Sequence, residues 1–121
     1  MPKFLPTSIQ LYSLRNIDGL SNQLDVVQAA GYRHVELFGP QLDDASNILA
    51  LLDAKGLAAS SSHVGMPALR ERFDTVMAAC KTLGFTQLFM PAVPPDERHA
   101  DAAYWLATGK ELGALAQRAQ D

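Results

Sequence analysis

The run Ala29-Ala30-Gly31-Tyr32-Arg33-His34-Val35-Glu36-Leu37-Phe38 decides the fold. Upstream of it Leu20, Leu24 and Val27 recur at +4 and +3, the spacing of one apolar face on a helix. That face stops at Gly31, and polar and apolar residues then alternate from His34 to Leu37, the period of a strand. Glycine just past a helix suits a left-handed position, because it carries no Cβ to clash. The same junction returns in Ala54-Lys55-Gly56-Leu57 and in Thr82-Leu83-Gly84-Phe85. The three glycines lie 25 and 28 residues apart, which is room for a helix, a strand and two short loops.

Working outward, Ile48, Leu49 and Leu52 mark a second helix face before Gly56. Leu69, Phe73, Val76, Cys80 and Leu83 form the longest stripe, read as one helix entered at Pro67, where a first turn tolerates the missing N–H. A last helix is expected over about 102–118, with Trp105, Leu112 and Leu115 as its apolar candidates; Gly109 and Gly113 make it the weakest. Strands are expected over Ser8–Ser13, Arg33–Phe38, Leu57–Val64 and Thr86–Met90. Strands alternating with helices imply βαβ crossovers and a parallel sheet in an α/β fold. Ile9, Leu11, Val35, Leu37, Leu88 and Met90 share one parity and are expected under the helices. Gln10, Tyr12, His34, Glu36, Gln87 and Phe89 take the other parity. A sheet covered on both faces favours continuous apolar strands, so a polar second face points to a barrel interior. The third strand, Ala58-Ala59-Ser60-Ser61-Ser62-His63, has no clear parity.

At 121 residues and 48% hydrophobic content the chain is one domain with a real core. A net charge of −3 and scattered basic residues argue against nucleic acid as a partner. No apolar run approaches the roughly 20 residues that span a bilayer, so no membrane partner is expected. The single Cys80 cannot form an internal disulfide, and with no signal sequence a cytoplasmic protein is expected.

In parallel α/β folds ligands bind at the carboxyl ends of the strands. Glu36 is a carboxylate between Val35 and Leu37-Phe38, and carboxylates are rarely buried without a partner or a task. It is either half of an ion pair with Arg15 or Arg33, or the polar wall of a ligand site. His63, closing a run of three serines before Val64-Gly65, is a partly exposed loop histidine or a metal ligand, proton carrier or hydrogen-bond donor to substrate. Tyr12 is a half-buried aromatic or a third wall residue. Cys80 lies on an apolar stripe and reads as core, His34 opens a strand at the far end, and His99 reads as solvated. There is no phosphate-binding glycine loop, no zinc-type spacing and no serine elbow.

The runs Ser8-Ile9-Gln10-Leu11-Tyr12-Ser13-Leu14-Arg15, Ala30-Gly31-Tyr32-Arg33-His34-Val35-Glu36-Leu37-Phe38, Leu52-Asp53-Ala54-Lys55-Gly56-Leu57 and Ser62-His63-Val64-Gly65, with the helix around Trp105, span nearly the whole chain. Together they resemble the sugar isomerase/epimerase superfamily of xylose isomerase-like TIM barrels. The resemblance implies an eight-unit barrel of about 250 residues or more. This chain supplies four βα units over residues 1–121 and is therefore expected to be an N-terminal half. It also implies isomerisation or epimerisation of a sugar or sugar phosphate by proton transfer between adjacent carbons. A divalent metal (Mn, Mg, Co or Zn) is implied too, held by Glu, Asp, His and Glu of later strands that have no counterpart here. Tyr12, Glu36 and His63 are implied as substrate-binding, with no metal ligand and no catalytic residue assigned in this chain. The isolated chain is expected to have little or no activity. Two other expectations stand beside this one. A half-barrel with open strand edges could bind ligand without catalysis or assemble as a homo-oligomer. An endonuclease IV-like fragment would need more strand-end histidines than His63.

Overall fold

Glycine 31, 56 and 84 all adopt positive φ (90°, 67° and 80°), so each helix-to-strand junction read from the sequence turns as its glycine allows. The computed structural model describes residues 6–98 and 101–121; His99 lies outside the described residues. The elements are β1 (Ser8–Gln10), α1 (Leu20–Ala29), β2 (His34–Phe38), α2 (Ala45–Ala54), β3 (Ala58–His63), α3 (Met66–Glu71), α4 (Phe73–Leu83), β4 (Leu88–Phe89) and α5 (Ala102–Gln120). Short 3₁₀ segments follow β1 (Leu11–Leu14) and β2 (Gly39–Asp44), and a third spans Pro95–Glu97.

The four strands form one parallel sheet in the order β1-β2-β3-β4. Neighbours in space are neighbours in sequence, as in a barrel wall; a doubly wound sheet would reverse direction at a switch point. The helix-side parity holds as expected. Leu11, Val35 and Leu37 are fully buried and share a core with Leu24, Val27 and Leu52 of the covering helices. Cys80 belongs to that core, and burial pushes its thiol pKa up.

Four expectations are corrected. The first strand stops at Gln10, not Ser13, because the Gln10 side chain accepts from the Tyr12 N–H and turns the chain into a 3₁₀ segment. Tyr12 therefore stands on that turn, above the strand end. The stripe from Leu69 to Leu83 belongs to two helices, since Arg72 leaves helical geometry (φ −130°, ψ 32°) and its side chain is drawn into an ion pair with Asp43. Strand β4 has two residues in place of five. Trp105 is exposed, and Leu112 and Leu115 alone of the expected apolar residues of α5 reach the core. Ion pairs Arg70–Glu111 and Arg118–Asp74 tie α5 to the preceding helices, and the Arg118 guanidinium lies 4.0 Å over the Phe73 ring.

Candidate functional site

A β-bulge in β3 builds the site. Val35 pairs with Ala59, but Glu36 pairs with Ser61, so Ser60 is an extra residue. Without it Glu36 would face Ser60, Phe38 would face Ser62, and His63 would point to the helix side. With it Gln10, Glu36 and Ser61 stand in one row across three strands, and Phe38, His63 and Phe89 stand in the next. The missing parity of the third strand is this bulge, and it is why Ser61 could not be assigned from the sequence.

The face that carries these rows is concave. Ser8 Oγ on β1 and Ser60 Oγ on β3 lie 2.6 Å apart, although β2 runs between their strands. In a flat sheet strands two apart are separated by roughly 9.5 Å, too far for two serine side chains to meet. The Gln10 amide nitrogen likewise reaches across β2 to His63 Nδ1 at 3.0 Å. The sheet curls toward its polar side, as a barrel wall curls toward its lumen.

Glu36 stands at the centre of this face. Ser61 Oγ donates to Oε2 at 2.6 Å, and His63 Nε2 lies 3.1 Å from Oε1. The carboxylate is 17% exposed and the His63 ring 35%, so both are reachable from the concave side. Glu36 thus does have partners, but they are Ser61 and His63, not Arg15 or Arg33. Arg15 instead lies 4.4 Å over the Tyr12 ring and donates to the Tyr12 carbonyl. Tyr12, half exposed, meets Phe38 edge-on at 5.5 Å, and His63 meets Phe89 edge-on at 6.3 Å. An aromatic rim of Tyr12, Phe38 and Phe89 therefore stands above a polar floor of Gln10, Glu36 and Ser61, at the carboxyl ends of the strands.

All three residues singled out in the sequence belong to this cluster: Glu36 and His63 touch, and Tyr12 joins them through Phe38. Gln10 and Phe89 share the parity of Glu36, which is the sequence signal that marks them for this face. His34 pairs with Ser8 and Ala58 at the opposite end of the sheet. Among the described residues no three His, Cys, Asp or Glu side chains come together to hold a metal ion. Glu36 and His63 supply two donors, fewer than the four ligands the resemblance implies, and the resemblance assigns those four to later strands. A cavity of about 940 Å³ lies elsewhere, between α4, α5 and the end of β4, with Phe73, Met77, Leu88, Met90 and Leu112 in its wall. No helix among the described residues is long and apolar enough to cross a membrane.

No protein-family model matches the chain, and no curated protein matches it. Among solved structures it is similar to a sugar phosphate isomerase/epimerase from Parabacteroides distasonis ATCC 8503, with a TM-score of 0.70 at 20% identity. The match covers 94% of this chain and 48% of that one. The chain thus spans about half the length of that structure, and at this identity the likeness is one of fold: four consecutive βα units arranged as half of a barrel.

Proposed function

We propose that the chain is the N-terminal half of a metal-dependent sugar or sugar phosphate isomerase or epimerase, and that its concave face is one wall of the sugar site. The observation that carries this reading is the Gln10–His63–Glu36–Ser61 cluster, set on the inward face of the sheet at the strand ends. A sugar offers hydroxyl donors and an apolar ring face. The cluster offers a fixed carboxylate acceptor beneath aromatic side chains. Glu36 accepts from a substrate hydroxyl, while Tyr12, Phe38 and Phe89 cover the ring and exclude water. The divalent metal, and the carboxylates that move the proton between adjacent carbons, belong to the other half of the barrel. We place the protein in the cytoplasm, in keeping with its free, buried Cys80.

The test is a titration of the purified 121-residue chain with aldoses, ketoses and their phosphates, followed by amide NMR, with turnover assayed in the presence of Mn²⁺. Shifts centred on Glu36, Ser61 and His63, weakened in Glu36→Gln and unaccompanied by turnover, support the reading. Robust metal-dependent epimerisation by this chain alone contradicts the half-site, and no shift with any sugar contradicts the binding wall.

A second reading, a non-catalytic module that assembles through its edges, draws on one observation. Among the described strands β1 and β4 each pair on one side only. Unpaired edges recruit strands from other chains. Light scattering separates the readings, since a well-folded monomer argues against edge-driven assembly.

A further inference from the structure

We propose that Gln10 is a positioning residue that fixes the tautomer of His63, making the imidazole a hydrogen-bond donor to Glu36 and leaving Glu36 as the acceptor that meets a substrate hydroxyl. The argument starts from a group with no choice. The Tyr12 backbone N–H can only donate, and it lies 2.7 Å from Gln10 Oε1. That contact fixes which end of the Gln10 amide is oxygen. The NH₂ end then faces His63 Nδ1 at 3.0 Å, and an amide nitrogen has only donors to offer. Nδ1 must therefore present its lone pair, and the ring proton resides on Nε2. Nε2 lies 3.1 Å from Glu36 Oε1 and donates to it. The order of donation runs from backbone to glutamine, glutamine to imidazole, and imidazole to carboxylate. A proton placed on Nδ1 would oppose the amide hydrogens, and flipping the amide to receive it would set two donors against each other at Tyr12.

Two consequences follow for the site. Both ring nitrogens of His63 are engaged within the chain, so its part is to orient Glu36, and neither nitrogen is open to a metal in this arrangement. Glu36 receives His63 on one oxygen and Ser61 on the other. A carboxylate has about four lone-pair positions, which leaves roughly two for a ligand. Acceptors alone at this point select neutral hydroxyl groups and repel an anion, so the phosphate of a sugar phosphate would lie away from Glu36. This last step rests on the sugar-site reading; the tautomer does not.

The experiment is long-range ¹H–¹⁵N correlation on chain labelled with ¹⁵N-histidine, at a pH where the rings are neutral, with His34 as the internal reference. The expected result is a His63 ring with a proton on Nε2 and a bare Nδ1. In the isosteric Gln10→Glu, which keeps the oxygen that caps Tyr12, an acceptor faces Nδ1 and a proton should sit there. A wild-type His63 carrying its proton on Nδ1 overturns the proposal, and so does an unchanged His63 tautomer in a folded Gln10→Glu chain. The wild-type spectrum decides even where a variant does not fold. Adding a sugar to the same sample keeps the readings apart: a correct tautomer with no response at Glu36 removes the sugar site and leaves the Gln10 assignment standing.

Discussion

The Ser61–Glu36 hydrogen bond should contribute measurably to folding, and Ser61→Ala is the way to expose it. The bond is short, 2.6 Å from hydroxyl to carboxylate oxygen, and Ser61 is 5% exposed, so water cannot readily replace the lost donor. Hydrogen bonds to charged groups contribute about 1.5–3 kcal/mol. Glu36 keeps His63 on its other oxygen and has some contact with solvent, which brings the expected loss to the low end, about 1–2 kcal/mol. The single change also removes hydroxyl packing, so the clean quantity is a coupling energy. Urea unfolding of wild type, Ser61→Ala, Glu36→Ala and the double variant supplies it. Glu36→Ala alone could take either sign, because it also relieves the desolvation of a carboxylate. The cycle removes that contribution and should return a coupling of about 1–2 kcal/mol. A coupling below about 0.3 kcal/mol, within the range of independent sites, would refute the reasoning.

Three further outcomes follow from separate parts of the fold. Gly84→Ala should lower stability by about 1–2 kcal/mol in the same urea assay. A Cβ there meets nothing within 4 Å, so the loss would come from the φ of +80° and not from crowding. Leu37→Ala, which empties a fully buried position on the helix side of β2, should cost about 2–5 kcal/mol, seen as a lowered urea midpoint. Cys80 should label slowly with a thiol reagent in native buffer and rapidly in urea. Its raised thiol pKa keeps it protonated as pH climbs, so labelling should accelerate only above the ordinary cysteine range; fast native labelling near neutral pH would contradict its place in the core.

The order of elements was legible because it is local. Gly31, Gly56 and Gly84 announce their own backbone conformation, and Val35 and Leu37 announce their face by alternation. The polar wall was legible through Glu36 for the same reason: a charge inside an apolar strand has few explanations. The rest depends on contacts across the sheet that no local pattern encodes. Ser60 can be known as a bulge only once β3 is laid beside β2, and until then His63 cannot be assigned to a face. An ion pair with Arg15 was a sound electrostatic expectation for Glu36. It gave way because Arg15 sits on the 3₁₀ turn, over Tyr12, while the bulge delivers Ser61 and His63 directly to the carboxylate. Strand β1 ended early by a side-chain device, the Gln10 cap on Tyr12, which competes with the ladder in a way that periodicity does not register. Trp105 reads as core because it is an aromatic on a predicted helix, whereas α5 buries Thr108 and packs Leu112 and Leu115 against the core, leaving Trp105 exposed.

The curvature of the sheet is what makes the Glu36 face an interior, and one NOE measurement on the folded chain tests it. The account predicts cross-peaks between the Ser8 and Ser60 side-chain protons and between the Gln10 amide and the His63 ring, spanning from β1 to β3 over β2. Ladder contacts from β1 to β2 and from β2 to β3, without those two, would mean a flat sheet with no lumen side and would contradict the account.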